Sequence, residues 1–268
     1  MRIVIPTRGR LDNQLTIKSL TYCGLIKRTT MIVPPREYNH FRELRDDYDV
    51  VAQPNPDWTI AKKRAWIIGT WAVLEGHEKI IMLDDDLRFA TRMSETDWHL
   101  REIAGEELEA EFNRLEEKLG PEFPHVGFGP RQGNNTLEDV GWKTPAKMCY
   151  SLGYYIPIVA KECELGRIET REDMDITLQL LRKGYPNAVW QTTVNDQRKY
   201  DAPGGATRER TVESSNADAK RLADLHPGFV STVEKKYKAS LPRVEVIVQW
   251  QKALQDGQRT REAARQAS

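Results

Sequence analysis

Four apolar residues, Ile80-Ile81-Met82-Leu83, run directly into three aspartates, Asp84-Asp85-Asp86. A strand that is apolar at every position has no face for water, so it must be covered on both sides, as in a parallel sheet flanked by helices. Adjacent carboxylates at the end of such a strand repel one another, and without a cation or a basic partner the cluster is costly. The rest of the first half agrees. Arg2-Ile3-Val4-Ile5 is a β-branched run ended by Pro6, Thr29–Val33 is stopped by Pro34-Pro35, and Val50-Val51-Ala52 stops before Pro54. Leu11, Leu15 and Leu20 form a rough helical face, and Thr59 is placed to cap a helix through Ala61, Ala65, Ile68, Ala72 and Val73 that Gly76 ends. Strands alternating with helices predict an α/β domain with a largely parallel sheet.

The second half is less regular. Residues 95–118 hold nine acidic against three basic residues, with Leu100, Ile103, Leu108, Phe112, Leu115 and Leu119 at helical intervals. That pattern predicts a solvated amphipathic helix or helical pair. Lys147–Ala160 reads as strand plus turn, Asp173–Lys183 as a helix ended by Gly184, and Asn187–Val194 as a strand. After Asp201-Ala202-Pro203-Gly204-Gly205 the pattern turns helical, and Gly257–Ser268 is polar and expected to fray. The expected organisation is a main domain over 1–210, a helical extension over 211–256 packed on it, and a polar tail over 257–268.

Composition narrows the class. Hydrophobic residues make up 39% of the 268 and charged residues 30%, which suits a soluble globular chain. No apolar run approaches the ~20 residues needed to cross a bilayer, and the start Met1-Arg2-Ile3-Val4-Ile5 has no leader-like apolar core. Cys23, Cys149 and Cys163 are odd in number and widely spaced, which excludes a disulfide framework and fits a reducing cytoplasm. Forty basic residues balance forty acidic ones, so any nucleic-acid partner must be met by a local patch. Lys235, Lys236, Lys238 and Arg243, preceded by Arg208 and Arg210, offer one, although a solvated helix face explains them as well.

Four segments carry chemistry. Alternation puts Asp84 and Asp86 on one side of an extended chain, able to address one hard cation such as Mg2+ or Mn2+, which bridges carboxylates to phosphates. A solvated acidic turn is the alternative, and phosphatases and response regulators also place Asp at strand ends. Pro6-Thr7-Arg8-Gly9-Arg10 follows the first strand with guanidinium forks suited to an anion or nucleotide. Lys62-Lys63-Arg64 puts three cations in the first turns of a helix, against the macrodipole, which suggests a phosphate partner. Glu169-Thr170-Arg171-Glu172-Asp173-Met174-Asp175 opens a helix with more carboxylates than capping needs, and one of them can take a proton from an attacking hydroxyl. The loop Pro124–Asn135, with Arg131, Gln132 and Asn134, suits contact with sugar or acceptor. His77, His99 and His125 read as surface or loop histidines, and Trp58, Trp66 and Trp71 as core.

Together these segments resemble the nucleotide-sugar glycosyltransferases of the GT-A fold, especially family 2, over about residues 1–200. The resemblance implies a mixed, mainly parallel sheet flanked by helices. It casts Asp84 and Asp86 as the metal-binding D-x-D, with Asp86 the direct ligand, and Asp173 of the Glu172-Asp173 pair as general base. Pro6, Thr7, Arg8, Arg10, Lys62, Arg64, Asp84 and Asp85 then face the donor, and Arg131, Gln132, Asn134 and Arg171 the acceptor. Such enzymes often add a metal ligand after the base helix, for which Asp196 and the distant His226 are the nearest candidates. There is no Q-x-x-R-W motif of the membrane-bound synthases. Ile5–Arg10, Asp84–Asp86 and the run from Gln197 through Tyr200 to Ala206 also resemble the phage Tet/JBP-associated glycosyltransferases. That implies a UDP-sugar donor, hydroxymethylpyrimidine DNA as acceptor and, if phage-encoded, the host cytoplasm. A glycan or small-molecule acceptor, a sugar-phosphate nucleotidyltransferase, whose longer phosphate loop Thr7–Arg10 lacks, and a non-catalytic binding module are the competing readings.

Overall fold

The computed structural model describes residues 1–11, 13–43, 47–94, 97–132, 140–197, 211–236 and 242–267. Strands β1 (Arg2–Pro6), β2 (Thr29–Val33), β3 (Asp49–Ala52) and β4 (Lys79–Leu83) lie parallel in the order β3-β2-β1-β4. They are connected by α1 (Leu15–Leu20), α2 (Tyr38–Glu43) and α3 (Ile60–Trp66), which passes through a π-helical turn at Ile67–Trp71 into α4 (Ala72–Leu74). Thr59 caps α3 as expected, its hydroxyl accepting from the Lys62 amide at 3.4 Å.

The sheet continues with strands from the middle of the chain. After β5 (Leu87–Ser94), β6 (Asp97–Glu102) and α5 (Gly105–Lys118) come β7 (His125–Pro130), β8 (Trp142–Lys143), β9 (Ser151–Tyr155), α6 (Ile156–Glu162), α7 (Glu172–Arg182) and β10 (Asn187–Gln197). Among the described residues, the ten strands of this sheet order as β3-β2-β1-β4-β9-β7-β10-β5-β6, with β8 beside β10, and β5, β8 and β9 run against the rest. This is the mixed, mainly parallel sheet flanked by helices that the resemblance to the GT-A fold implied.

Period-two alternation explains the layering. Ile3, Ile5, Ile81 and Leu83 pack on one face under Leu108, Phe112 and Leu115 of α5. Val4, Ile80 and Met82 face the opposite way, toward Ile67, Ile68 and Trp71 and toward Leu180 of α7. Each such side chain, removed wholly from water, contributes about 2 kcal/mol, and both faces of β1 and β4 supply them.

Four expectations are corrected. Residues 97–102 form the edge strand β6, not helix, and Gly105 at φ 62° turns the chain into α5, so helical spacing there spans two elements. His125 is fully buried on β7, where Nδ1 meets the Gly153 carbonyl at 2.8 Å, and is not a surface histidine. The region after 210 is not wholly helical: α8 (Val212–Leu225) is followed by a hairpin of β11 (Val230–Lys235) and β12 (Arg243–Val248), then α9 (Trp250–Gln266). The polar residues from Gly257 onward continue α9, because Ala253, Leu254 and Gly257 give that helix a narrow buried stripe. Ile168, Leu178 and Leu181 share a third core with Leu222, Ala253 and Leu254. Among the described residues, no helix is long and apolar enough to cross a membrane.

Candidate active site

Parallel pairing of β1 with β4 brings Thr7–Arg10 and Asp84–Asp86 out at the same sheet edge. The aspartate turn is pinned by α1: Thr16 Oγ1 donates to the Asp84 carbonyl at 2.5 Å and accepts from the Leu87 amide at 2.9 Å. Asp85 turns inward, accepting from the Thr7 hydroxyl and from Arg10, so its role is to hold the two loops together. Burial pushes the Asp85 carboxyl up, partly offset by Arg10 and Thr7. Arg10 also donates to Asp86 at 2.8 Å, and Asp86 is only 6% exposed. Gly9, at φ 69°, makes the left-handed turn between the two arginines and donates its amide to Glu37 at 2.9 Å.

The helix after Thr59 sends cations to this edge, but not the expected pair. Lys62 is exposed, whereas Lys63 is 2% exposed and its ammonium donates to the Thr7 carbonyl at 2.8 Å. Burial lowers the Lys63 pKa to about 8, with Arg8 and Arg64 adding to the shift and Glu37 and Asp85 opposing it. Lys63 lies four residues before the buried Ile67, and that helical phase is the signal that distinguishes it from Lys62. Arg64 is the link to the second carboxylate group. Its Nη2 donates to Asp84 and its Nη1 to Glu172, the first residue of α7. Burial disfavours the guanidinium charge, yet Asp84 and Glu172 outweigh that and hold its pKa above the ordinary value.

Asp173 stands next to Glu172 in the first turn of α7. Burial first, then the charge of Glu172, raises its pKa to about 6, while Arg64 pulls the other way. Asp84 is likewise raised to about 6, by burial against Arg64 and with Asp86 and Asp85 adding to the rise. The Tyr150 carbonyl accepts from the Asp84 amide at 3.0 Å, and burial followed by the charges of Cys149, Asp84, Asp173 and Asp86 raises its phenol to about 12. Among the described residues, Tyr150 at φ 69°, the backbone partner of Asp84, and Arg171 at φ 67°, next to Glu172, are the non-glycine residues in the left-handed region. Such strained backbone gathers at functional sites.

The oxygens that Arg64 and Arg10 leave on the D-x-D pair converge. Gln197 Nε2 donates to Asp84 Oδ2 at 3.4 Å and to Asp86 Oδ1 at 3.1 Å. Among the described residues, no three His, Cys, Asp or Glu side chains are grouped to hold a metal. The point these two oxygens share is taken by the Gln197 amide nitrogen, so a cation such as Mg2+ or Mn2+, which commonly takes one or two carboxylates and completes its shell with water and phosphate, would take the place of that contact.

Other expected residues lie elsewhere. Asp196 does not join the D-x-D pair; it accepts from Arg131 at 2.8 Å, because neighbours on a strand point to opposite faces and Gln197 takes the inward position. His226 is buried against Asp175 at 2.7 Å, committed to packing rather than a metal. Arg171 reaches toward α8, donating to the Ser215 carbonyl at 2.8 Å, and not across the carboxylates. Gln132 is exposed beside Arg131. Asn134, the run Tyr200–Ala206, Arg208, Arg210 and Lys238 lie outside the described residues.

Residues 1–205 match the family described as TAGT, TET-Associated Glycosyltransferase. Comparison with curated proteins gives no match. Among solved structures, mannose-1-phosphate geranyltransferase from Thermus thermophilus is 14% identical, with 85% of this chain and 65% of that one covered and a TM-score of 0.35. A197 from STIV is 9% identical over 73% of this chain and 84% of that one, with a TM-score of 0.37. The inositol-1-phosphate CTP transferase from T. maritima is 11% identical over 85% and 96%, with a TM-score of 0.39. The match over 1–205 takes in the loop after β1, the aspartate turn, the start of α7 and the end of β10, so the chain belongs to the TET-associated glycosyltransferase family.

Proposed function

We propose that this glycosyltransferase uses a cation and a nucleotide-diphosphate sugar, with uridine as the base, and glycosylates hydroxymethylcytosine in DNA with inversion at the sugar. The observation that carries the reading is Arg64, bonded at once to Asp84 and Glu172, which joins the donor-side carboxylates to the pair that holds the base. Asp84 and Asp86 would hold the cation with Gln197 beside them. When bound, that cation neutralises charge on the departing diphosphate. Arg8 and Lys63 lie on the same edge and add fixed positive charge where the leaving group develops its own. Asp173, mostly ionised at neutral pH with a pKa of about 6, takes the proton of the acceptor hydroxyl as its oxygen bonds to the anomeric carbon. The bond from that carbon to the diphosphate oxygen breaks, and the nucleoside diphosphate leaves with the electron pair. A hydroxymethylated base would be flipped out of the stack to reach this cleft. Exposed Lys235, Lys236 and Arg243 support a role in holding DNA phosphates.

The test is direct. The protein is incubated with Mn2+, a panel of nucleotide sugars, and duplex DNA with or without hydroxymethylcytosine. Sugar is expected on the modified strand alone. Transfer to a glycan or small alcohol, with none to DNA, would remove the acceptor from this reading and leave the enzyme class intact.

A further inference from the structure

α7 carries Glu172 and Asp173 in its first turn, yet the approach to that turn is tied down by residues beyond the family match at 205. The Thr170 amide and hydroxyl both donate to one oxygen of Asp218 on α8, at 2.8 and 2.7 Å. Arg171 donates to the Ser215 carbonyl at 2.8 Å and to the Val244 carbonyl on β12 at 3.5 Å. One turn further, Asp175 is gripped by Arg167 at 2.7 Å and by His226 at 2.7 Å, both aspartate and histidine being almost wholly buried. Arg182 faces His226 Nδ1 at 3.2 Å, Arg167 faces Nε2 at 3.4 Å, and Nε2 lies 2.7 Å from the Asp175 carboxylate.

These contacts surround a backbone that would not otherwise persist. Arg171 has no glycine-like freedom, yet it sits at φ 67° as the residue before α7, and its side chain makes no capping bond to the helix. A non-glycine residue stays in the left-handed region only when its surroundings hold it there. Relaxation to the right-handed region would turn the chain entering α7 and swing Glu172 and Asp173 relative to Arg64.

We propose that the C-terminal module is a clasp that positions the general base, with Asp218 as its principal positioning residue and Ser215 and His226 as supports. The clasp rests on the assignment of Asp173 as base. Its role is orientation: a displacement of about 1 Å at a reacting group is enough to cost on the order of 100-fold in rate.

The full chain is assayed for UDP release from the UDP-sugar it consumes, with Mn2+ and hydroxymethylated duplex DNA, and melting temperatures are recorded in parallel. Asp218→Ala is expected to lower kcat about 10-fold or more with donor KM within about twofold, well below its melting temperature. Asp218→Asn, which keeps an acceptor oxygen for Thr170, is expected to recover most of that loss. Thr170→Val removes one of the two bonds and should fall between, and it carries the test alone if Asp218→Ala does not fold. An unchanged kcat in Asp218→Ala or Thr170→Val, beside an inactive Asp173→Asn, overturns the clasp alone. A fully active Asp173→Asn overturns the base assignment and the clasp with it.

Discussion

Asp173 shares one guanidinium with two stronger claimants. Arg64 bonds Asp84 and Glu172 directly, and Asp173 is left with burial and the charge of Glu172 raising its pKa to about 6. The functional consequence is an acidic limb: kcat should fall as pH drops through about 6, when the base becomes protonated, and a pH–rate profile checks this. The stability consequence has the opposite sign. A carboxyl with a raised folded pKa binds more protons in the folded than in the unfolded state, so it destabilises the fold as pH rises from about 4 through 6 and beyond. Asp173→Asn should therefore abolish transfer and stabilise the protein at pH 7 by on the order of 1–2 kcal/mol, a gain that disappears below about pH 4. Calorimetry at the two pH values measures it, and a destabilised variant at pH 7 would contradict the account. At the neighbouring group, Asp86→Asn should weaken Mn2+ binding about 10-fold or more while Asp196→Asn leaves it unchanged, read by isothermal titration.

α7 and α9 meet through glycine. A Cβ built on Gly257 would lie 2.2 Å from the Leu181 carbonyl oxygen and 2.5 Å from the Gly184 nitrogen, both backbone atoms that cannot step aside. Gly257→Ala must push the two helices apart, and the expected cost is about 2–4 kcal/mol, measured by urea denaturation. The sequence around Gly257 reads as a polar tail because only Ala253, Leu254 and Gly257 of α9 are buried. A contact made by a bare backbone leaves no hydrophobic signal, which is why the part of this helix from Gly257 onward reads as a tail. β10 runs three residues beyond the expected end at Val194, and the inward residue at its end is Gln197 rather than Asp196. A one-residue error in phase along a strand exchanges its faces.

At the scale of the whole molecule, a third core joins residues on both sides of residue 210. Ile168, Leu178 and Leu181, all within the family match, are buried against Leu222, Ala253 and Leu254 beyond it. A chain ending at 210 would expose that cluster along α7, and it is expected to be insoluble or to melt well below the full-length protein. Soluble expression followed by sedimentation tests this, and a stable, monodisperse 1–210 fragment would show that the third core is dispensable. The balanced total charge fits the same picture, in which opposite charges are spent on internal pairs such as Arg64 with Asp84 and Arg167 with Asp175.

What the chain's own order of residues determined was local: apolar β1 and β4 buried on both faces, aspartates at the end of β4, Thr59 as a helix cap, and carboxylates in the first turn of α7. Each follows from burial and capping rules that act within one element. Only the tertiary structure decided that Gln197 meets the D-x-D pair and that Arg171 is held by α8. Those facts depend on helix phase and strand register between segments far apart in sequence, and a periodic pattern specifies neither to within one residue.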